Sequence, residues 1–142
     1  MKKLRWIYWD RYPASSFPSN FQPTKLGCLV LIRGQQKQLW KGCKQLPNLK
    51  ILDLRHSRYL MKTPDFNGLP CLERFNLQGC EKLEEIHPSV GYHERLVLVN
   101  MKGCLKLKKF PPIIHMKNLE TLKLSSCMLS TSKVSRYPIE HG

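Results

Sequence analysis

The chain has 142 residues, enough for one modest domain, and carries 24 Lys+Arg against 10 Asp+Glu for a net charge of +14. A charge of that size favours acidic partners, nucleic acid or anionic lipid through long-range attraction. No run approaches the roughly 18 apolar residues of a membrane-spanning helix. The apolar run in MKKLRWIYWDRYP breaks at Asp10 and Arg11, too early for a secretion signal, so a soluble intracellular chain is expected.

In chain order, six segments repeat one pattern: LRWIYWDRY from Leu4, LGCLVLIRG from Leu26, LKILDLRHS from Leu49, LERFNLQGC from Leu72, LVLVNMKGC from Leu96 and LETLKLSSC from Leu119. Their starts are separated by 22, 23, 23, 24 and 23 residues. One apolar alternation means little, but six in near-constant register specify a leucine-rich repeat solenoid. The expected fold is an α/β repeat of about six units, with a parallel concave β-sheet and irregular or short helical convex segments. The repeat region runs over residues 1–127; MLSTSKVSRYPIEHG (128–142) abandons the rhythm and reads as an irregular or frayed end.

Alternate residues of a strand face opposite sides. Ile7/Trp9, Leu29/Leu31, Leu52/Leu54, Phe75/Leu77, Val99/Met101 and Leu122/Leu124 are therefore expected to point into the core. The second half of each repeat adds further core residues, such as Leu83 and Ile86 before Pro88 and Leu107 and Phe110 before Pro111. The prolines, together with PDFNG (64–68), argue for short or irregular return segments. HPSVG, around Pro88, reads as a proline-initiated helical turn.

Cys80, Cys104 and Cys127 share the ninth repeat position, where a small buriable side chain suits the sharp turn out of the strand. A zinc site wants ligands paired at short spacing, whereas these lie 24 and 23 residues apart. They are expected to form a structural ladder in the core, with no metal and no cofactor in this segment. Cys43 and Cys71 fall on return segments, and Cys28 is placed on the strand face.

RYPASSFPSNFQP (11–23), QLWKGCKQLPNLKILDL (38–54), TPDFNGLPCLERFNLQGC (63–80) and IHPSVG (86–91) add a more specific likeness. Over about residues 4–124 the chain resembles plant intracellular disease-resistance proteins that join a TIR domain, a nucleotide-binding domain and a leucine-rich repeat tail. The resemblance implies a tail that takes part in effector recognition and restrains the nucleotide-binding switch. ADP or ATP would bind only in a full-length parent, since this segment lacks the G-x-x-x-x-G-K-[ST] phosphate loop. It also implies a fragment of a larger receptor or a truncated product. An uncapped solenoid is expected to be marginally stable or to associate.

With the inward residues assigned, the outward ones form the candidate partner-binding concave face: Trp6, Tyr8, Asp53, Arg55, Arg74, Asn76, Gln78, Asn100, Lys102 and Lys123. Cys28, Val30 and Ile32 supply its second row, and the early rows are aromatic and aliphatic where the later ones are polar and basic. Such a face suits protein contact, with a pathogen effector or the receptor's own nucleotide-binding domain as partner. Trp6 and Tyr8 also fit packing against a preceding domain. A nucleic-acid binder wants a continuous basic groove. Here the acidic stretch 72–95, with Glu73, Glu81, Glu84, Glu85 and Glu94, interrupts the basic ones.

An extracellular repeat receptor is the other alternative; its L-x-G-x-I-P consensus is absent, and free cysteines suit the cytosol better. His56, His87, His93, His115 and His141 lie on turns or return segments without a motif-like catalytic partner, and His93 with Glu94 reads as a solvated face. The sequence thus reads as a non-enzymatic recognition and regulatory module, cytoplasmic or nucleocytoplasmic.

Overall fold

The computed structural model describes residues 3–18 and 20–124. Each repeat contributes one strand: β1 (Trp6–Asp10), β2 (Cys28–Ile32), β3 (Ile51–Asp53), β4 (Arg74–Asn76), β5 (Leu98–Asn100) and β6 (Thr121–Lys123). All neighbours are parallel, and the order in the sheet is the order in the chain. This is the leucine-rich repeat solenoid expected from the spacing, with about five turns and almost no helix.

The register stacks one inward residue per repeat into a ladder: Ile7, Leu29, Leu52, Phe75, Val99 and Leu122. Leu31, Leu54, Leu77 and Met101 form a second ladder, also buried. Return segments close the core from the other side through residues such as Trp40, Phe66, Leu83, Val90 and Phe110. Burying each large apolar side chain is worth about 1.5–3 kcal/mol. No repeat could bury its own apolar edge, so neighbours must stack.

Among the described residues the return path contains two short 3-10 turns, Phe66–Gly68 and Pro88–Tyr92. Asp65 caps the first by accepting from the Asn67 N–H at 2.9 Å, and Pro88 opens the second as HPSVG predicts. Ser89 Oγ accepts from the Phe66 N–H at 2.8 Å, which ties the two turns together across repeats.

Three expectations need correction. Ile7 and Trp9 stand on the core side of β1 but are not enclosed: Ile7 is half-buried and Trp9 is 48% exposed, because β1 is the sheet edge and has a neighbour on one side only. Val30 and Ile32 lie on the concave face yet are buried; Val30 stands between Tyr8 and Asp53 of the neighbouring strands, and Ile32 beside Asp10 of β1.

His93 is the third. Instead of facing water it is buried, at 7% exposure. Its Nδ1 accepts from the backbone N–H groups of Leu96 (3.1 Å) and Arg95 (3.3 Å), so the ring proton sits on Nε2 and is donated to the Leu69 carbonyl at 2.7 Å. Burial pulls the imidazole pKa below its ordinary value, as expected for a neutral ring with both nitrogens engaged.

Candidate partner-binding surface

The outward side chains form three rows across the sheet. The first runs Trp6, Cys28, Ile51, Arg74, Leu98 and Thr121, and the second Tyr8, Val30, Asp53, Asn76, Asn100 and Lys123. Asp10 and Ile32 open the third, and Arg55, Gln78 and Lys102 lie just past the ends of β3, β4 and β5. The register places seven of the sequence-predicted residues, Trp6, Tyr8, Asp53, Arg74, Asn76, Asn100 and Lys123, at aligned outward positions of the sheet. At about 4.8 Å per strand, the six strands span about 24 Å.

Some of these side chains hold the backbone as well as facing outward. Asp53 Oδ1 accepts from the Arg55 N–H (3.1 Å), Asn76 Oδ1 from the Gln78 N–H (3.0 Å) and Asn100 Oδ1 from the Lys102 N–H (3.1 Å). Each is an Asx-type cap on the N–H two residues on. β3, β4 and β5 end at these very residues, three residues long, whereas β1 and β2, with Tyr8 and Val30 at the same position, continue to five. Asn100 is buried, and its Nδ2 donates to Gln78 Oε1 at 3.1 Å. Sequence reasoning listed these residues as contacts and missed the caps, although the Asp/Asn run at one repeat position was visible.

After each of β1 to β5 the chain turns through a left-handed residue: Arg11, Arg33, His56, Gly79 and Gly103, with φ of 61°, 53°, 60°, 75° and 77°. A glycine adopts this conformation freely, whereas other residues are strained by it. Directly behind lie the cysteines. Cys80 Sγ donates to the Leu54 carbonyl at 3.2 Å, and Cys104 Sγ to the Leu77 carbonyl at 3.3 Å. Both are buried, and burial pushes the Cys80 thiol up to about 12. A thiol held protonated in this way is a poor metal ligand or nucleophile. Cys127, the next rung by sequence, lies outside the described residues, as do Ser125 and His141.

The charges divide the face. Arg33 grips Asp10 through Nε (2.9 Å) and Nη2, holding the carboxyl below its usual range, and Arg55 Nε binds Asp53 at 3.0 Å. Arg74 and Lys102 are exposed and Lys123 half-buried; among the described residues none forms an ion pair. No Asp or Glu occupies a strand-face position from Arg74 onward. At the other end, Trp6 is 66% and Tyr8 62% exposed, beside Ile51 and the half-buried Cys28. Burial is the main cause that raises the Cys28 thiol pKa, with the Asp53 charge adding to it.

This surface sits on a repeat stretch found in known proteins. The chain is 40% identical over 124 residues to TMV resistance protein N of Nicotiana glutinosa, covering 87% of this chain and 11% of that protein. It is 35% identical over 134 residues to Disease resistance protein RRS1 of Arabidopsis thaliana, covering 92% of this chain and 10% of the relative. It is 48% identical over 89 residues to Disease resistance protein RPV1 of Vitis rotundifolia, covering 63% and 6%.

The chain is homologous to plant disease resistance proteins of the TIR class. The chain spans about a tenth of the length of those relatives. No protein-family model matches it. Among its described residues no helix is long and apolar enough to cross a membrane.

Proposed function

We propose that this segment is a non-enzymatic recognition and regulatory module of a plant intracellular immune receptor, cytoplasmic or nucleocytoplasmic, acting through its concave face. Its partner is a protein: a pathogen effector, or the receptor's own nucleotide-binding domain, which the contact would restrain. Any ADP or ATP would be bound by that other domain. The observation that carries this reading is the pairing of exposed Trp6 and Tyr8 with Arg74, Lys102 and Lys123, none of them ion-paired among the described residues. Aromatic anchors beside uncompensated charge suit a protein surface with an apolar knob and carboxylates.

The test joins Arg74→Glu and Lys102→Glu in the full-length receptor. Partner binding or resting activity should change, while the melting temperature of the 142-residue chain stays within a degree or two. Unaltered binding and activity would remove the concave face from the mechanism.

A further inference from the structure

A second charged feature lies off the concave face, on the flank where the chain enters the strands. Arg5, Lys25, Gly27, Asn48, Lys50 and Cys71 line a groove of about 450 Å³, within the size range of small-molecule sites. Backbone bonds fix its frame. Gly27 N–H donates to the Arg5 carbonyl at 2.8 Å, and Lys50 N–H to the Gly27 carbonyl at 2.8 Å, so Arg5, Gly27 and Lys50 are successive rungs of one ladder. The middle rung has no side chain. That gap, between two cationic rungs about 10 Å apart at two strand spacings, opens the groove, and Lys25 adds a third cation to its wall.

The electrostatics are one-sided. None of the lining residues is acidic, and among the described residues none of the three cations forms an ion pair. Glu73 follows Lys50 in the ladder, its N–H bonded to the Lys50 carbonyl at 2.8 Å, but it does not line the groove. Asn48 is already engaged, donating to the Thr24 carbonyl at 2.6 Å. Three unneutralised cations set around one small recess favour a compact, multiply charged anion over a single carboxylate, and a guanidinium with two ammonium groups matches phosphate oxygens well.

We infer that this flank groove binds a small polyphosphorylated anion. The site is independent of the concave face, so either can fail without the other. Glycine at its centre supplies a selective test. A Cβ at Gly27 would meet only the Arg5 carbonyl at 3.8 Å and the Asn48 carbonyl at 3.9 Å, ordinary contacts. Gly27→Leu therefore fills the groove without touching its charge, and Lys25→Glu with Lys50→Glu reverses the charge without filling it.

The experiment is calorimetric titration of the 142-residue chain with inorganic tripolyphosphate, alongside hexaglutamate, at two salt concentrations. The inference predicts tripolyphosphate binding that weakens at least about tenfold in both groove variants, the scale of one lost charge-assisted contact. The concave variant Lys102→Glu should retain it. Equal weakening by Lys102→Glu, or full binding by Gly27→Leu, would reduce the effect to non-specific charge and overturn the site. Tighter binding of hexaglutamate than of tripolyphosphate would overturn the phosphate assignment.

Discussion

The first two repeats and the next three solve the same problem with different chemistry. In β1 and β2 the strands run five residues, their second-row side chains are Tyr8 and Val30, and the turns that follow force Arg11 and Arg33 into a left-handed conformation. In β3 to β5 an Asp or Asn stops the strand after three residues by capping the backbone, and by Gly79 and Gly103 the turn has acquired a glycine backed by a buried cysteine. The early repeats fill their outward positions with apolar surface and a closed Asp10–Arg33 pair, and β3 still closes Arg55 onto Asp53; from Arg74 onward the face cations form no ion pair among the described residues. The lesson is that one repeat position can be a strand residue or a strand terminator, according to whether its side chain can accept a backbone N–H.

The largest effect that this comparison predicts is in packing. Phe75 is fully buried at the centre of the inner ladder and packs edge-on against Phe66, with ring centroids 5.2 Å apart. Phe75→Ala should cost about 3–5 kcal/mol, enough to unfold a short solenoid. Ile7→Ala, at the half-buried edge, should cost far less. Urea titration of both variants checks the contrast, and similar losses would refute an uneven core.

Next come the turns. A Cβ at Gly79 would sit 2.4 Å from His56 Nδ1 on a backbone with φ of 75°. Gly79→Ala should therefore cost the roughly 1–2 kcal/mol of a left-handed non-glycine residue, plus the displacement of His56. His56→Gly, at φ of 60°, removes that strain and the obstructing ring. A melting temperature that falls for both variants would mean that backbone strain is not what separates the early turns from the late ones.

The caps are smaller. Asn76→Ala should destabilise by about 1 kcal/mol, the usual worth of a side-chain cap, whereas Tyr8→Ala breaks no such bond. Hydrogen exchange at the Gln78 amide is the direct readout, and unchanged protection in Asn76→Ala would discard the cap.

The last prediction concerns pH. The folded-state pKa of His93 is lowered, so the unfolded chain binds its proton first as the medium is acidified. Its stability contribution is complete above the unfolded value of about 6.5 and is lost as pH falls through the folded pKa. His93→Gln should flatten that decline in urea midpoints below neutrality; an unchanged slope would assign the decline elsewhere.

Much of this was legible in the sequence for a physical reason: a repeat stacks equivalent residues, so a ladder such as Leu29, Leu52 and Phe75 declares itself by spacing alone. The buried thiols of Cys80 and Cys104 followed from the same logic. What spacing could not show was the difference between edge and interior. Trp9 and Leu31 share a repeat position, yet one is exposed and the other buried, because only one has strands on both sides. His93 was missed because a histidine beside Glu94 and Arg95 looks solvated until the fold carries it under the Leu69 carbonyl. On the candidate face, membership was readable from alternation, but the split between capping residues and open cations needed the hydrogen bonds.

The most direct test of the account changes position while holding charge constant. In the full-length receptor, Arg74→Glu with Lys102→Glu is compared with Lys108→Glu with Lys109→Glu, an exposed pair on the return segment after β5. Both doubles lower the net charge equally, and partner binding or resting activity is read for each. The account predicts a change in the concave variant and none in the return-segment variant. Equal effects from both would show that overall charge, not the sheet face, governs recognition.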